Sequence, residues 1–158
     1  PDSIYTKQLR QNGELITHNK DESVFVFLRL DDLIQDDGVY IHPSQTLGDI
    51  VQIMSRERHD DYFPVLDIEN HLLGIVRLND VREDLVNPQK YGNPITRYML
   101  LSPDTILQHE QIQSVLRRFD ENHVWVLPVV DKEKHYLGYI SKSRIMTAYR
   151  EQLVKISQ

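Results

Sequence analysis

The sequence contains no cysteine among its 158 residues. Disulfides, thiolate catalysis and cysteine-based zinc sites are therefore excluded. Long hydrophobic runs are missing as well. The longest apolar stretches, Val24–Leu28 and Val124–Val130, are far shorter than the ~20 residues that a membrane-spanning helix needs. An excess of positive charge is also absent, because the net charge is −6, which argues against nucleic acid or an anionic membrane surface as a partner.

Recognisable catalytic and metal-binding motifs are lacking too. The seven histidines are scattered, mostly in turns, with no i, i+4 pair and no HExxH sequence, which favours surface histidines over a metal site. The paired carboxylates lie in polar loops, and no serine or threonine lies in a nucleophile elbow or a phosphate-binding loop. We therefore expect neither an enzyme nor a bound metal.

The composition that remains is typical of a globular protein, with 40% apolar and 27% charged residues. The length allows one ordinary domain or two small ones that share a core. The chain begins at Pro1 without an initiator methionine, from which we expect a segment of a longer protein.

An internal duplication organises the sequence. The stretch "FPVLD" at Phe63–Asp67 recurs as "LPVVD" at Leu127–Asp131, an offset of 64 residues. At the same offset, "LLGIVRLND" at Leu72–Asp80 aligns with "YLGYISKSR" at Tyr136–Arg144 without a gap. Self-similarity at a fixed offset predicts two copies of one structural unit.

The duplication divides the chain into a connector, two repeats and a linker. The connector covers residues 1–29, with a short helix from Ser3 to Gly13; repeat one covers 30–86, the linker 87–94, and repeat two 95–158. Proline, glycine and asparagine mark residues 87–94 as the linker.

Each repeat should contain a strand, a helix, two strands and a second helix. In repeat one we predict a strand at Val39–Pro43 and a second helix that begins at Asn79 or Asp80. Four apolar residues in each repeat have the i, i+3, i+4, i+7 spacing of a buried helix face. They are Leu47, Ile50, Val51 and Met54 in the first, and Ile112, Val115, Leu116 and Phe119 in the second.

A final helix is predicted at roughly Lys142–Ile156, with Ile145, Tyr149, Leu153 and Ile156 on one side. A small sheet with two short helices cannot bury its apolar face alone. We therefore expect an α/β (α+β) fold in which the two repeats pack as one module with approximate two-fold symmetry.

The doubled "PVxD" strands, each followed by a glycine-led strand before a helix, resemble the pair of cystathionine-β-synthase (CBS) domains. This resemblance covers the chain from about Leu30 to its end. The stretches Ser3–His18 and Ser141–Val154 are in addition similar to the cytoplasmic C-terminal region of bacterial ClC-type chloride channels and transporters.

The resemblance implies an adenosine-nucleotide site built on the motif Gly-h-h-Ser/Thr-x-x-Asp, where h is apolar. Its hydroxyl meets phosphate at a helix start, and its aspartate accepts from ribose hydroxyls. Each repeat keeps half of the motif. Repeat one has Asp80 but replaces the hydroxyl with Arg77, and repeat two has Ser141 but replaces the aspartate with Arg144.

The better-supplied site is the one that contains Asp80. There the resemblance implies that Asp80 holds ribose, Arg77 holds phosphate, Trp125 stacks on adenine and Thr105 lies at the entering strand. Ser141 is the remaining hydroxyl of the motif. Simpler interpretations stay open: Asp80 and Ser141 as helix caps, and Trp125 as a core or interface residue.

The second possible nucleotide site lacks the aspartate that the motif requires. The residues just before "FPV" are Asp60 and Asp61, and the motif aspartate opposite them is replaced by Arg144. Arg77 and Arg144 also have the simpler interpretation that their side chains point to solvent.

At the level of function, the resemblance implies a homodimeric regulatory module at the cytoplasmic face of the cell membrane. It would sense AMP, ADP or ATP and modulate a membrane-embedded chloride transport domain of the same chain. We expect helical residues near Met54, Phe119 and Tyr149 at the dimer interface. Two alternatives remain, a ligand-free dimerisation module and a stand-alone CBS regulator of another protein.

Overall fold

A computed structural model of the chain describes residues 24–56 and 62–157. The predicted connector helix at Ser3–Gly13 and the aspartates Asp60 and Asp61 lie outside the described residues. The described chain divides into two compact units. The first unit contains residues 24–34, 108–127 and 140–157, and the second contains residues 35–56, 62–107 and 128–139.

Helices and strands alternate along the chain in the arrangement that the duplication predicts. The helices are α1 Leu47–Arg56, α2 Leu78–Leu85, α3 Ile112–Asn122 and α4 Lys142–Ser157. The strands are β1 Tyr62–Leu66, β2 Leu72–Arg77, β3 Leu100–Leu101, β4 Ile106–Leu107, β5 Val126–Val130 and β6 Tyr136–Ser141. Each copy therefore consists of two successive strands flanked by two helices, which confirms the predicted α+β repeat.

The strands form two three-stranded sheets, ordered β1-β2-β3 and β4-β5-β6. Strand β3 belongs to the second copy but pairs antiparallel with β2 of the first, with Gly74 opposite Leu101. Conversely, Gln35 of the first copy exchanges two backbone hydrogen bonds of 2.8 and 2.7 Å with Tyr139 of β6. Because each copy supplies backbone partners to the sheet of the other, neither sheet is complete within one copy.

The core of the second unit is built from the first sheet and from α1 and α2. Leu47 and Ile50 are fully buried, but Met54 is 41% exposed, so its predicted burial is wrong. Ile53 packs against the core instead. The contact follows the i, i+3 ridge of Leu47, Ile50 and Ile53, which is inclined to the helix axis and leaves Met54 to one side.

The predicted strand at Val39–Pro43 is reduced to a single bridge. Ile41 donates its N–H to the Pro64 carbonyl at 2.8 Å, and its carbonyl accepts from the Leu66 N–H at 2.9 Å. The chain then turns, with the Gln45 N–H bonded to the His42 carbonyl. Pro43 has no N–H to continue a ladder, which limits the pairing to Ile41.

The predicted linker packs against the first repeat. The carbonyls of Tyr91 and Asn93 accept the N–H groups of Gly48 and Leu47 in the first turn of α1, both at 2.9 Å. The Tyr91 hydroxyl donates to the Leu85 carbonyl, near the end of α2, at 2.6 Å. First-turn N–H groups lack partners within their own helix, so the linker completes α1.

The core of the first unit lies around α3 and α4. All four predicted core residues of α3 are buried, and so are Ile145 and Tyr149 of α4, whereas Ile156 is exposed. Phe25 stacks on Tyr149 with ring centroids 5.1 Å apart. Phe119 and Tyr149 are buried inside the chain itself, so the predicted dimer interface would have to use exposed helical residues near them, and that interface stays a prediction. Within the described ranges, no helix has both the length and the apolar character needed to span a bilayer.

Candidate functional site

The junction of β2 and α2 brings together Arg77 and Asp80, the two candidates from repeat one. Arg77 is the N-cap residue of α2 and has an extended backbone, so the helix begins at Leu78. Its Nε donates to the Asp80 Oδ2 at 2.7 Å. Asp80 is the third residue of the helix, so it is not the N-cap that the simpler interpretation proposed.

The Arg77–Asp80 pair contributes little to folding stability, because the two side chains are 50% and 38% exposed. Exposed ion pairs of this kind stabilise a protein by about 0–1 kcal/mol. A guanidinium carries five N–H donors and a carboxylate accepts about four hydrogen bonds, so both groups have capacity beyond this single bond. The pair therefore places a donor set suited to phosphate beside an acceptor set suited to hydroxyls.

Thr105 is not brought to this pair. It lines an open cleft of about 370 Å³ together with Leu72 and Leu73, at the start of β2. Arg77 ends the same strand, five residues on, roughly 17 Å away at 3.3 Å per residue. The structure thus places Thr105 beside the opposite end of β2.

Trp125 and Ser141 belong to the first unit. Trp125 is 67% exposed, so it is not the core residue that one interpretation allowed. The Lys142 Nζ lies 5.2 Å from its ring centroid, a cation–π distance. The Ser141 Oγ accepts from the Arg144 N–H at 3.1 Å, at the start of α4, which is the geometry of a helix cap.

A second cluster, which the sequence interpretation missed, lies in the two hairpin turns. In the first turn the Asp67 Oδ1 accepts from the N–H groups of Glu69 and His71, at 2.8 and 2.9 Å. Its Oδ2 accepts from the His71 Nδ1 at 3.0 Å. These hydrogen bonds, led by the one from the His71 backbone, lower the pKa of the Asp67 carboxyl.

The second turn repeats this geometry atom for atom. The Asp131 Oδ1 accepts from the N–H groups of Glu133 and His135, both at 2.9 Å, and its Oδ2 lies 2.9 Å from the His135 Nδ1. Partial burial opposes ionisation of Asp131, but the hydrogen bonds from His135 and Glu133 outweigh it and lower the pKa of the carboxyl.

The two turns meet within the second unit. His71 and His135 form an isolated antiparallel bridge, and their imidazole rings stack with centroids 4.5 Å apart and an interplanar angle of 20°. The Leu72 N–H donates to the Lys134 carbonyl at 2.9 Å, and the Tyr136 N–H donates to the Asn70 carbonyl at 2.8 Å. These two histidines lie in turns and are about one-third exposed, as expected of surface residues, but they are paired with each other rather than scattered.

A pair of tyrosines lies next to the two turns, because Tyr136 directly follows His135. The hydroxyls of Tyr62 and Tyr136 are 3.3 Å apart. Burial raises the pKa of both phenols, well above the usual value in the case of Tyr62. Both remain neutral hydrogen-bonding groups at physiological pH.

The sequence did carry a signal for the histidine pair. At the offset of 64 residues, the pattern Asp-x-Glu-x-His occurs twice, at Asp67–His71 and Asp131–His135. In each turn the possible ligand atoms of the three side chains lie within 4.8 Å of one another. Among the described residues, these are the two groups of this kind.

Comparison with known proteins identifies one family that matches both copies. The CBS domain family matches residues 30–87 and 95–151. The inosine-5'-monophosphate dehydrogenase of Methanocaldococcus jannaschii is 24% identical over 118 residues, which is 75% of this chain and 23% of the enzyme. The chain thus spans about a quarter of the length of this relative.

Two solved structures with similar folds are complexes with adenosine compounds. The CBS domain pair of protein MJ0100, in complex with 5'-methylthioadenosine and S-adenosyl-L-methionine, has a TM-score of 0.65 at 18% identity and covers 79% of this chain and 98% of its own. CBSX2 in complex with AMP has a TM-score of 0.65 at 19% identity and covers 82% of this chain and 98% of its own. At these identities the likeness establishes the fold alone. The chain belongs to the CBS domain family and folds as a tandem pair of CBS domains.

Proposed function

We propose that this CBS pair is a regulatory module that binds an adenine nucleotide at the Arg77–Asp80 pair. The observation that carries the proposal is the 2.7 Å contact between Arg77 and Asp80 at the start of α2. It provides phosphate and ribose partners side by side, in a fold whose relatives include a complex with AMP.

The chemistry of the pair suits a nucleotide. The Asp80 carboxylate accepts from the ribose hydroxyls, and the Arg77 guanidinium donates to phosphate beside a helix N-terminus, where the helix dipole favours an anion. Arg77 replaces the hydroxyl of the full motif, and loss of one charge-assisted bond costs roughly 1.5–3 kcal/mol. We therefore expect binding in the micromolar to millimolar range.

Trp125 and Ser141 are proposed contributors to nucleotide affinity on the strength of the sequence. The exposed indole of Trp125 offers a surface for stacking on adenine. Ser141 already acts as a cap at α4, so its substitution should mainly affect the stability of that helix.

The module is proposed to act as a homodimer that regulates another domain. A two-fold dimer needs one apolar patch that is used by both subunits. Met54 on α1 and Val154 and Ile156 on α4 keep 41%, 57% and 52% of their surface exposed in the isolated chain and are candidates for such patches. Sedimentation velocity over a range of concentrations should detect the dimer, and a concentration-independent monomer would contradict it.

The regulated domain is proposed to be a ClC-type chloride transport domain, with this module at the cytoplasmic face of the membrane. The support is the sequence similarity of Ser3–His18 and Ser141–Val154, the first of which lies outside the described residues. A second candidate is regulation of an unrelated partner. The M. jannaschii relative favours it, because there the matched region is 23% of an enzyme.

Thermal unfolding with and without AMP, ADP and ATP tests the ligand proposal. A bound nucleotide should raise the melting temperature of the wild type, because a ligand that binds only the folded state stabilises it by mass action. Asp80→Ala should lose most of this increase while melting near the wild type without ligand, since the Arg77–Asp80 pair is exposed. No shift with any nucleotide would favour the ligand-free dimerisation module.

A further inference from the structure

The twin turns at Asp67–His71 and Asp131–His135 present the same three metal-binding side chains. We propose that each turn binds one divalent transition-metal ion through its aspartate, glutamate and histidine. The ion would lie in the second unit, at the end of β2 that is opposite to the Arg77–Asp80 pair. It is therefore independent of the nucleotide proposal.

The distances fit an ion with little rearrangement. Zinc binds imidazole nitrogen and carboxylate oxygen at roughly 2.0–2.2 Å in tetrahedral geometry, so two ligand atoms lie about 3.4 Å apart, and the hydrogen-bonded pair needs to open by only about 0.5 Å. The Nδ1–Oδ2 separations are 3.0 Å in the first turn and 2.9 Å in the second. An ion can replace the proton of this hydrogen bond, and the imidazole stays neutral by carrying its proton on Nε2.

The glutamate supplies the third ligand. The Glu69 Oε1 lies 3.9 Å from the His71 Nδ1, and the Glu69 side chain is 75% exposed. A small rotation of this side chain brings its carboxylate to the ion. The aspartate and the histidine are already fixed, since the backbone N–H groups hold the carboxylate and the ring stack holds the imidazoles.

The recurrence of the glutamate points to a ligand rather than to the turn alone. The turn uses the aspartate carboxylate and the histidine ring, but only the backbone N–H of Glu69 and Glu133 takes part in its hydrogen bonds. The neighbouring side chains differ completely, Ile68 and Asn70 in one turn against Lys132 and Lys134 in the other. The three donor types nevertheless recur in both turns.

The donor set selects the class of ion. One imidazole and two carboxylates suit zinc, cobalt, nickel or manganese, whereas magnesium and calcium prefer oxygen ligands only. The first turn, residues 67–71, has a formal charge of −2, but the lysines of residues 131–135 neutralise the second turn. We therefore expect the first turn to bind about tenfold more tightly.

The test is zinc binding to the untagged full chain, measured by isothermal titration calorimetry and by metal analysis after dialysis. The wild type should bind two zinc ions per chain, and magnesium should not compete. Glu69→Gln keeps the Asp67–His71 contact. It should weaken zinc binding at the tighter site by about tenfold to a hundredfold, because losing even an outer-shell partner of a metal ligand costs that much affinity. Glu133→Gln should weaken the other site, and Glu83→Gln, at an exposed glutamate of α2, should change neither.

His71→Ala should abolish the tighter site, and circular dichroism of this variant establishes that it is folded. The proposal is overturned if the wild type binds no zinc at micromolar free metal. It is also overturned if both glutamine variants at the turns bind zinc as the wild type does, since the ions would then sit on other side chains. Asp80→Ala should retain both zinc sites, which separates this proposal from the nucleotide site.

Discussion

Gly74 lies at a position in β2 that the neighbouring strand β3 approaches closely. A Cβ atom at this position would lie 2.6 Å from the Leu100 carbonyl oxygen and 2.6 Å from the Met99 Cγ. Ordinary van der Waals contact begins at 3.4 Å, so β3 would have to move by about 0.8 Å. The side chain of Met99 can rotate away, but the backbone of Leu100 cannot move without disturbing its pairing with Ile75.

Gly74→Ala should therefore destabilise the protein. Overpacking costs about 1–3 kcal/mol, and a weakened β3 hydrogen bond adds about 1 kcal/mol. The smaller unfolded-state entropy of alanine returns roughly 0.5–1 kcal/mol. We expect a net loss of about 1–3 kcal/mol, measured as a lower urea midpoint at unchanged slope.

Gly92→Ala is the matched control, because nothing lies within 4 Å of the Cβ position there. It should leave the free energy of unfolding unchanged or raise it by up to about 1 kcal/mol. If Gly74→Ala unfolds within about 0.5 kcal/mol of the wild type, the close approach of β3 to β2 is not the constraint described above.

Two further predictions concern packing and charge. Phe119→Ala should lower the free energy of unfolding by about 3–5 kcal/mol, because Phe119 is 1% exposed. Met54→Ala, at a side chain that is 41% exposed, should cost less than about 1 kcal/mol, and equal losses would contradict the burial assignment. The Tyr98 hydroxyl donates to the Asp84 Oδ2 at 2.8 Å and, with Lys90, lowers the pKa of this carboxyl. Tyr98→Phe should raise that pKa in an NMR titration and reduce stability at neutral pH. Because a lowered folded-state pKa stabilises only above the unfolded value, near 3.9, the difference from the wild type should shrink as the pH falls below about 4. A constant difference would contradict this assignment.

The spacing of apolar residues correctly predicted most of the helices, and its errors are confined to single positions. The spacing of Ile112, Val115 and Phe119 sufficed because α3 packs against the core along its whole length. At Met54 the same spacing failed, since the contact there follows the inclined i, i+3 ridge. The spacing of apolar residues shows which side of a helix is apolar. It does not show which of those residues the neighbouring element covers.

The backbone exchanges between the two copies could not be predicted from local patterns. The pairing of Gly74 with Leu101 and the bonds between Gln35 and Tyr139 join residues far apart in sequence. Turn residues at 87–94 likewise predict a linker but not that its carbonyls complete the first turn of α1. These contacts depend on how the copies fold together, which no short window of sequence contains.

The candidate site divides in the same way. Arg77 and Asp80 are three residues apart at a strand–helix junction, so local structure alone brings them together. The histidine pair instead requires two turns to meet, although the repeated Asp-x-Glu-x-His pattern was present in the sequence. Comparing the copies for shared polar side chains, as well as for shared apolar ones, would have found it.

The most direct test of the proposed function is calorimetric titration of AMP into the wild type, Asp80→Ala and Arg144→Ala. We predict micromolar to millimolar binding to the wild type and to Arg144→Ala, and an affinity about ten- to a hundredfold lower for Asp80→Ala. Equal affinity of the wild type and Asp80→Ala would remove Asp80 from the site, and the absence of heat with the wild type at millimolar AMP would contradict the nucleotide-binding role.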